Sequence, residues 1–183
     1  MTDTADTRAW VDGLVRSGLE DEGSLRVQVV QAIRDDHPGL DASATAGIWI
    51  AAAVDGWRAD ADGWPGETDF DRLQRVFGVL DEAGIRVLQG CEDHWSARDV
   101  LRADEQSRGV LWFTAPDVWH AIDEGMLEVN LWHHDTANAA AGDPLLDEVL
   151  AAFAAVGLDA VFDEGRIEVT AYWHRRPPGS TSG

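Results

Sequence analysis

The chain has 183 residues, 45% of them hydrophobic, and a formal net charge of −20 from 34 acidic residues against 14 arginines, with no lysine. That charge argues against binding to a phosphate backbone, which needs clustered cations, and against adsorption to anionic membranes. The missing lysine excludes a P-loop lysine, a pyridoxal Schiff base and a kinase-type lysine.

A chain of this length suits one domain, or one domain with a helical extension. It needs neither a disulfide nor a metal to fold, and Cys91 is its single cysteine. The first 84 residues read as helical. Trp10, Val11, Leu14 and Val15 share a face, and Gly18 stops that helix. Leu25, Val29, Ala32 and Ile33 mark a second helix ending near His37-Pro38-Gly39. Ala46, Trp49, Ile50, Ala53 and Trp57 mark a third, and Trp64-Pro65-Gly66 is a turn. Thr68 then caps a helix with the stripe Phe70, Leu73, Phe77 and Leu80, and Gly84 follows it.

From Ile85 the pattern changes. Ile85 to Gln89 reads as a strand, and Ser96 to Glu105 as a helix or an irregular excursion. Gly109 to Thr114 is a nearly continuous apolar strand, Pro116 to Glu124 a short helix, and Met126 to His133 an alternating strand. Asp143-Pro144 opens a helix with Leu146, Val149, Leu150 and Phe153 on its stripe and Gly157 after it. Leu158 to Phe162 and Arg166 to Trp173 read as strands joined by Asp163-Glu164-Gly165. The expected fold is α+β: a helical N-terminal half over residues 1–84, then a mixed sheet of four or five strands with helices against it over residues 85–176, the two packed as one globular unit. Residues 177–183 are expected to be a disordered tail.

Several segments resemble an uncharacterised, mainly actinobacterial family, domain of unknown function 6891. They are Leu14-Val-Arg-Ser-Gly18, Trp64-Pro-Gly-Glu-Thr-Asp-Phe-Asp-Arg-Leu73, Leu80-Asp-Glu-Ala-Gly-Ile85 and Gly109-Val-Leu-Trp-Phe113. The resemblance implies helices first and sheet second, and no activity. Family members usually carry Cys-Cys-x-x-Cys-Gly after the first strand, where this chain reads Gln89-Gly-Cys91-Glu-Asp-His94-Trp95. They tend to show His-x-Gln-Asp after the second strand, where Thr114-Ala-Pro-Asp117 keeps only the aspartate.

Between Gly109 and Gly165 there is no arginine, but there are eleven carboxylates: Asp117, Asp123, Glu124, Glu128, Asp135, Asp143, Asp147, Glu148, Asp159, Asp163 and Glu164. An uncompensated anionic surface is expected there, suited to a cationic partner, with plain solubility as the competing reading. His133-His134-Asp135 is the most metal-like string, although successive strand residues point to opposite faces, so chelation by both histidines needs a bend. Cys91 and His94 have chelating spacing without a second pair, and Asp117 and His120 could meet one helical turn apart. Trp10, Trp49, Trp57 and Trp119 fall at helical core spacings. Trp132 alternates with Glu128 and Asn130, and Tyr172 with Glu168. If these strands are neighbours, one face presents both rings beside both glutamates, a surface for a cation or arginine-rich partner. Coverage of that face by the N-terminal helices is the competing expectation.

No catalytic or cofactor motif is complete, so no cofactor is expected. The expected protein is a cytoplasmic, non-catalytic binding, inhibitor or immunity-type protein for a basic protein partner, with no nucleic-acid or membrane partner. The alternative is a small metal-binding protein or enzyme using His133, His134 and Asp135.

Overall fold

The computed structural model describes residues 3–179. The chain forms two compact units. The first runs to Gly66 and is rejoined by the segment from His174, and the second is Glu67–Trp173. The order is that of an α+β protein: a helical N-terminal half, then a five-stranded mixed sheet with helices packed on it.

The first unit contains α1 (Thr4–Ser17), α2 (Glu22–Asp36) and α3 (Ala42–Ala61). An aspartate precedes each, and the carboxylates of Asp3, Asp21 and Asp41 accept backbone N–H groups of the first turn. Such caps satisfy donors that the helix leaves unpaired, and the negative charge suits the positive end of the helix dipole. The helical stripes meet in one core of Val11, Leu14, Val15, Leu25, Val29, Ile33, Ala46, Trp49, Ala53 and Trp57. The returning segment is anchored rather than loose. Trp57 Nε1 donates to the Arg175 carbonyl at 2.7 Å, His174 stacks on Trp64 at 4.4 Å, and Arg176 donates to the carbonyls of Ala61 and Pro65. Pro177, expected to begin a disordered tail, is buried. Ser180 to Gly183, the rest of that expected tail, lie outside the described residues.

The second unit begins with α4 (Asp69–Glu82). Thr68 and Asp71 form a capping box at its start. The expected division at residue 84 falls instead after Gly66. The reason is the destination of the α4 stripe: Leu73, Val76, Phe77 and Leu80 are buried, and the Phe77 ring lies 5.6 Å from Phe113 in the sheet. Periodicity reveals an apolar face but not what it packs against.

The strands β1 (Ile85–Cys91), β2 (Gly109–Thr114), β3 (Met126–His133), β4 (Asp159–Asp163) and β5 (Arg166–Thr170) form one sheet in the order β1-β2-β3-β5-β4. Only β1 and β2 run parallel, joined through α5 (His94–Ala103). The undecided segment is therefore a helix, capped by Asp93, which accepts from Trp95 N and Ser96 N. β1 runs two residues past its expected end through an irregularity between Leu88 and Cys91, where Gly90 takes φ 64°. β5 is shorter than expected. Beyond Thr170 the backbone pairs with the end of α6 (Ala115–Asp123) and the turn after it: Ala171 N donates to Gly125 O and Trp173 N to Ala121 O.

Alternation gives the sheet two unlike faces. Leu111, Phe113, Leu127, Val129, Leu131, Ile167 and Val169 are all buried on one, where α4 and α7 (Pro144–Ala155) pack. On the other, α5 covers only the β1–β2 half, where Ala97 and Leu101 pack on Val110 and Trp112. Gly109 lies close against the β3 backbone; a Cβ there would lie 2.3 Å from the Trp132 carbonyl oxygen.

Candidate functional site

The eleven carboxylates do not stay together. Arg108, just before the segment, grips Glu148 with both nitrogens at 2.9 and 2.6 Å, and this holds the Glu148 carboxyl below its ordinary range. Arg166, just after it, reaches Glu128 at 2.5 Å. Asp117 Oδ2 accepts from Thr114 N and Thr114 Oγ1, both at 2.7 Å, and so closes the capping box of α6. Asp143 accepts from His133 Nε2 at 3.0 Å and Ala140 N at 2.7 Å, which lower its carboxyl in that order of importance. Asp135 accepts from Ala137 N at 3.0 Å. Asp123, Glu124, Asp147, Asp159, Asp163 and Glu164 are exposed and have no ion-pair partner among the described residues. The sequence pattern missed the pairing because both arginines stand just outside the cation-free stretch and return to it through the fold.

The histidines diverge, as strand alternation requires. His133 turns to Asp143 at the start of α7, whereas His134 Nδ1 lies 3.2 Å from Ser107 Oγ. Among the described residues no group of three or more His, Cys, Asp or Glu side chains converges as a metal centre would. Cys91 is half-buried with its thiol directed at the Phe113 carbonyl, and burial pushes its pKa up. His94 lies against Trp95 at 4.7 Å. Asp117 is held in its capping box rather than on His120, which is exposed. Trp49 and Trp57 are core residues, while Trp10 and Trp119 are only partly buried.

The proposed aromatic face divides. β3 and β5 are neighbours, and Glu128 lies directly opposite Glu168. Their antiparallel register, however, sends the two rings to opposite ends. Tyr172 lies over Gly125, just before β3, while Trp132 sits seven residues further along the chain, roughly 23 Å away at the rise of an extended strand. Trp132 joins the α5 side, with its ring 5.2 Å from Trp112.

What remains on the β3–β5–β4 half is a partly exposed polar face. It carries Glu128 and Asn130 on β3, Arg166 and Glu168 on β5, and Asp159, Val161 and Asp163 on β4. Val161 is 62% exposed. Among the described residues Arg166 is the single cation of this face, and its partner is Glu128. Like charges directly opposite on adjacent strands repel, and the one arginine paired to Glu128 offsets the two glutamates only in part. Arg98 and Arg102, which sequence reasoning passed over, matter elsewhere: they border the shallow cavity that also takes in His134. Their signal was an arginine pair four residues apart around Leu101, legible only once the segment is known to be a helix.

This geometry defines an α+β protein with a partly exposed acidic sheet face and no assembled catalytic or metal constellation among the described residues. The chain belongs to the family described as Domain of unknown function (DUF6891), whose pattern matches residues 1–177. No curated protein and no solved structure matches the chain. Among the described residues no helix is long and apolar enough to cross a membrane.

Proposed function

We propose that this protein is a non-catalytic binding protein, of inhibitor or immunity type, for a basic protein partner in the cytoplasm. One observation carries the reading: the directly opposed Glu128 and Glu168, on a sheet face that among the described residues has only Arg166 as counter-charge. A guanidinium or ammonium group from a partner relieves that repulsion, so the free protein is less stable than its complex at this place. The flanking Asp159 and Asp163 extend the attraction along β4, and the exposed Val161 between them offers an apolar contact at its centre. The charge that recruits a basic protein also repels nucleic acid and anionic membrane.

Two variants of equal net charge test this. Glu168→Gln with Asp163→Asn neutralises the face, and Glu22→Gln with Asp35→Asn removes the same charge from α2. With an arginine-rich peptide as probe, the face variant should bind about tenfold more weakly than wild type, equivalent to about 1.4 kcal/mol. The α2 variant should stay within about twofold, and binding should weaken as salt screens the charges. Equal weakening in both variants would reduce the attraction to bulk charge and remove the reading.

A further inference from the structure

In the second unit, Arg72, Arg86, Arg108 and Arg166 each lie within 3.1 Å of a carboxylate, and Arg75 is paired with Glu67. Arg98 differs. Among the described residues no carboxylate lies within 4.0 Å of it, and its guanidinium rests over the Trp95 ring at 5.5 Å. Arg102, one turn further along α5, has only Asp99 at 3.6 Å, and both of those side chains are largely exposed. Such a pair contributes little. In a chain of net charge −20, two weakly compensated arginines on one helical face are a local reversal of sign.

These arginines border a cavity of about 210 Å³ that Leu101, His134, Asp135 and Thr136 complete. His134 is oriented there by a buried group. Ser107, 6% exposed, donates its hydroxyl hydrogen to the Asp104 carbonyl at 2.8 Å. It can therefore only accept from the imidazole, so His134 Nδ1 carries a proton and donates to it. Nε2, on the far edge of the ring, is left for another partner. Thr136 also lines the cavity and takes φ 71°, a conformation that strains a β-branched residue. Its N–H bond to the His133 carbonyl at 2.9 Å holds it there.

We propose that this cavity binds a phosphate group, free or carried as a monoester on a small molecule. Two guanidinium groups one turn apart can each present paired N–H donors to a tetrahedral oxyanion. His134 Nε2 adds a third donor when the ring is protonated, and the Thr136 hydroxyl adds a fourth. Asp135, whose carboxylate accepts from Ala137 N, also lines the cavity. It leaves an acceptor for a hydroxyl on the esterified group. The site is separate from the acidic sheet face and does not depend on the reading of that face.

Calorimetric titration of the full chain with inorganic phosphate and with phenyl phosphate tests it. At least one should bind saturably with Kd of about 1 mM or tighter, and the His134 ring resonances should move during the titration. Arg98→Gln with Arg102→Gln should weaken binding at least about tenfold. Arg34→Gln with Arg58→Gln, the same charge change on α2 and α3, should leave it unaltered. His134→Ala provides a second loss without touching α5. Tighter binding of the ester assigns the site to a monoester, and equal or tighter binding of the ion to free phosphate. Failure of both to saturate by about 20 mM, far above that Kd, or equal weakening in the control variant, would overturn the proposal.

Discussion

Glu164 takes φ 44° and Gly165 φ 92° in the two-residue turn between the paired residues Asp163 and Arg166. Left-handed backbone at both central positions suits Asn-Gly best, and a glutamate there is strained. Glu164→Asn should therefore raise the unfolding free energy by about 1 kcal/mol in denaturant titration, with unchanged cooperativity. Asp143 illustrates a different residue-scale effect. His133 and the Ala140 N–H favour its charged form and lower its pKa on folding. The stability it provides is present above the unfolded carboxyl value, about pH 4, and is lost as pH falls through the lower folded value. The stability gap between wild type and Asp143→Asn should thus be present above about pH 4 and close as pH falls below it. A gap that persists well below that pH would contradict the assignment. Many of the acids act in the same local way. Asp3, Asp21, Asp41 and Asp93 are helix caps, and Asp71 and Asp117 complete capping boxes. Composition alone cannot separate such acids from those that face a partner.

At the scale of elements, most of the chain was legible because its punctuation is local. Gly18 ends α1 in a left-handed cap, Thr68 opens α4 and Asp143 with Pro144 opens α7, each where its spacing indicates. α5 was ambiguous since only Ala97 and Leu101 are buried in it, and its cap, Asp93, lies ahead of the segment first read as helical. Asp93→Ala should cost about 1 kcal/mol and loosen α5 in particular, which hydrogen exchange of its amides would report. Strand order, and with it the pairing of Glu128 with Glu168, was not legible. Register is set by long-range packing and not by any local signal. The close approach at Gly109 belongs to this level too. Gly109→Ala should destabilise by about 2 kcal/mol or more, since the Trp132 carbonyl is backbone and cannot move aside alone.

For the molecule as a whole, net charge predicts behaviour that no single pair determines. With 34 acids against 14 arginines, self-repulsion opposes the compact state, so added sodium chloride should raise the melting temperature as screening grows. The candidate surface was half legible. The cation-free stretch covers β3 and β4, but Arg108 and Arg166 pair with Glu148 and Glu128, and antiparallel register separates Trp132 from Tyr172. What survives is smaller and better defined: the β3–β5–β4 face. Backbone amide NMR during titration with an arginine-rich peptide tests it most directly. The account predicts that amides of Glu128, residues 159–163 and Arg166 to Thr170 shift strongly while those of α2, with its own exposed acids, barely move. Shifts spread evenly over the acids of both units would contradict it.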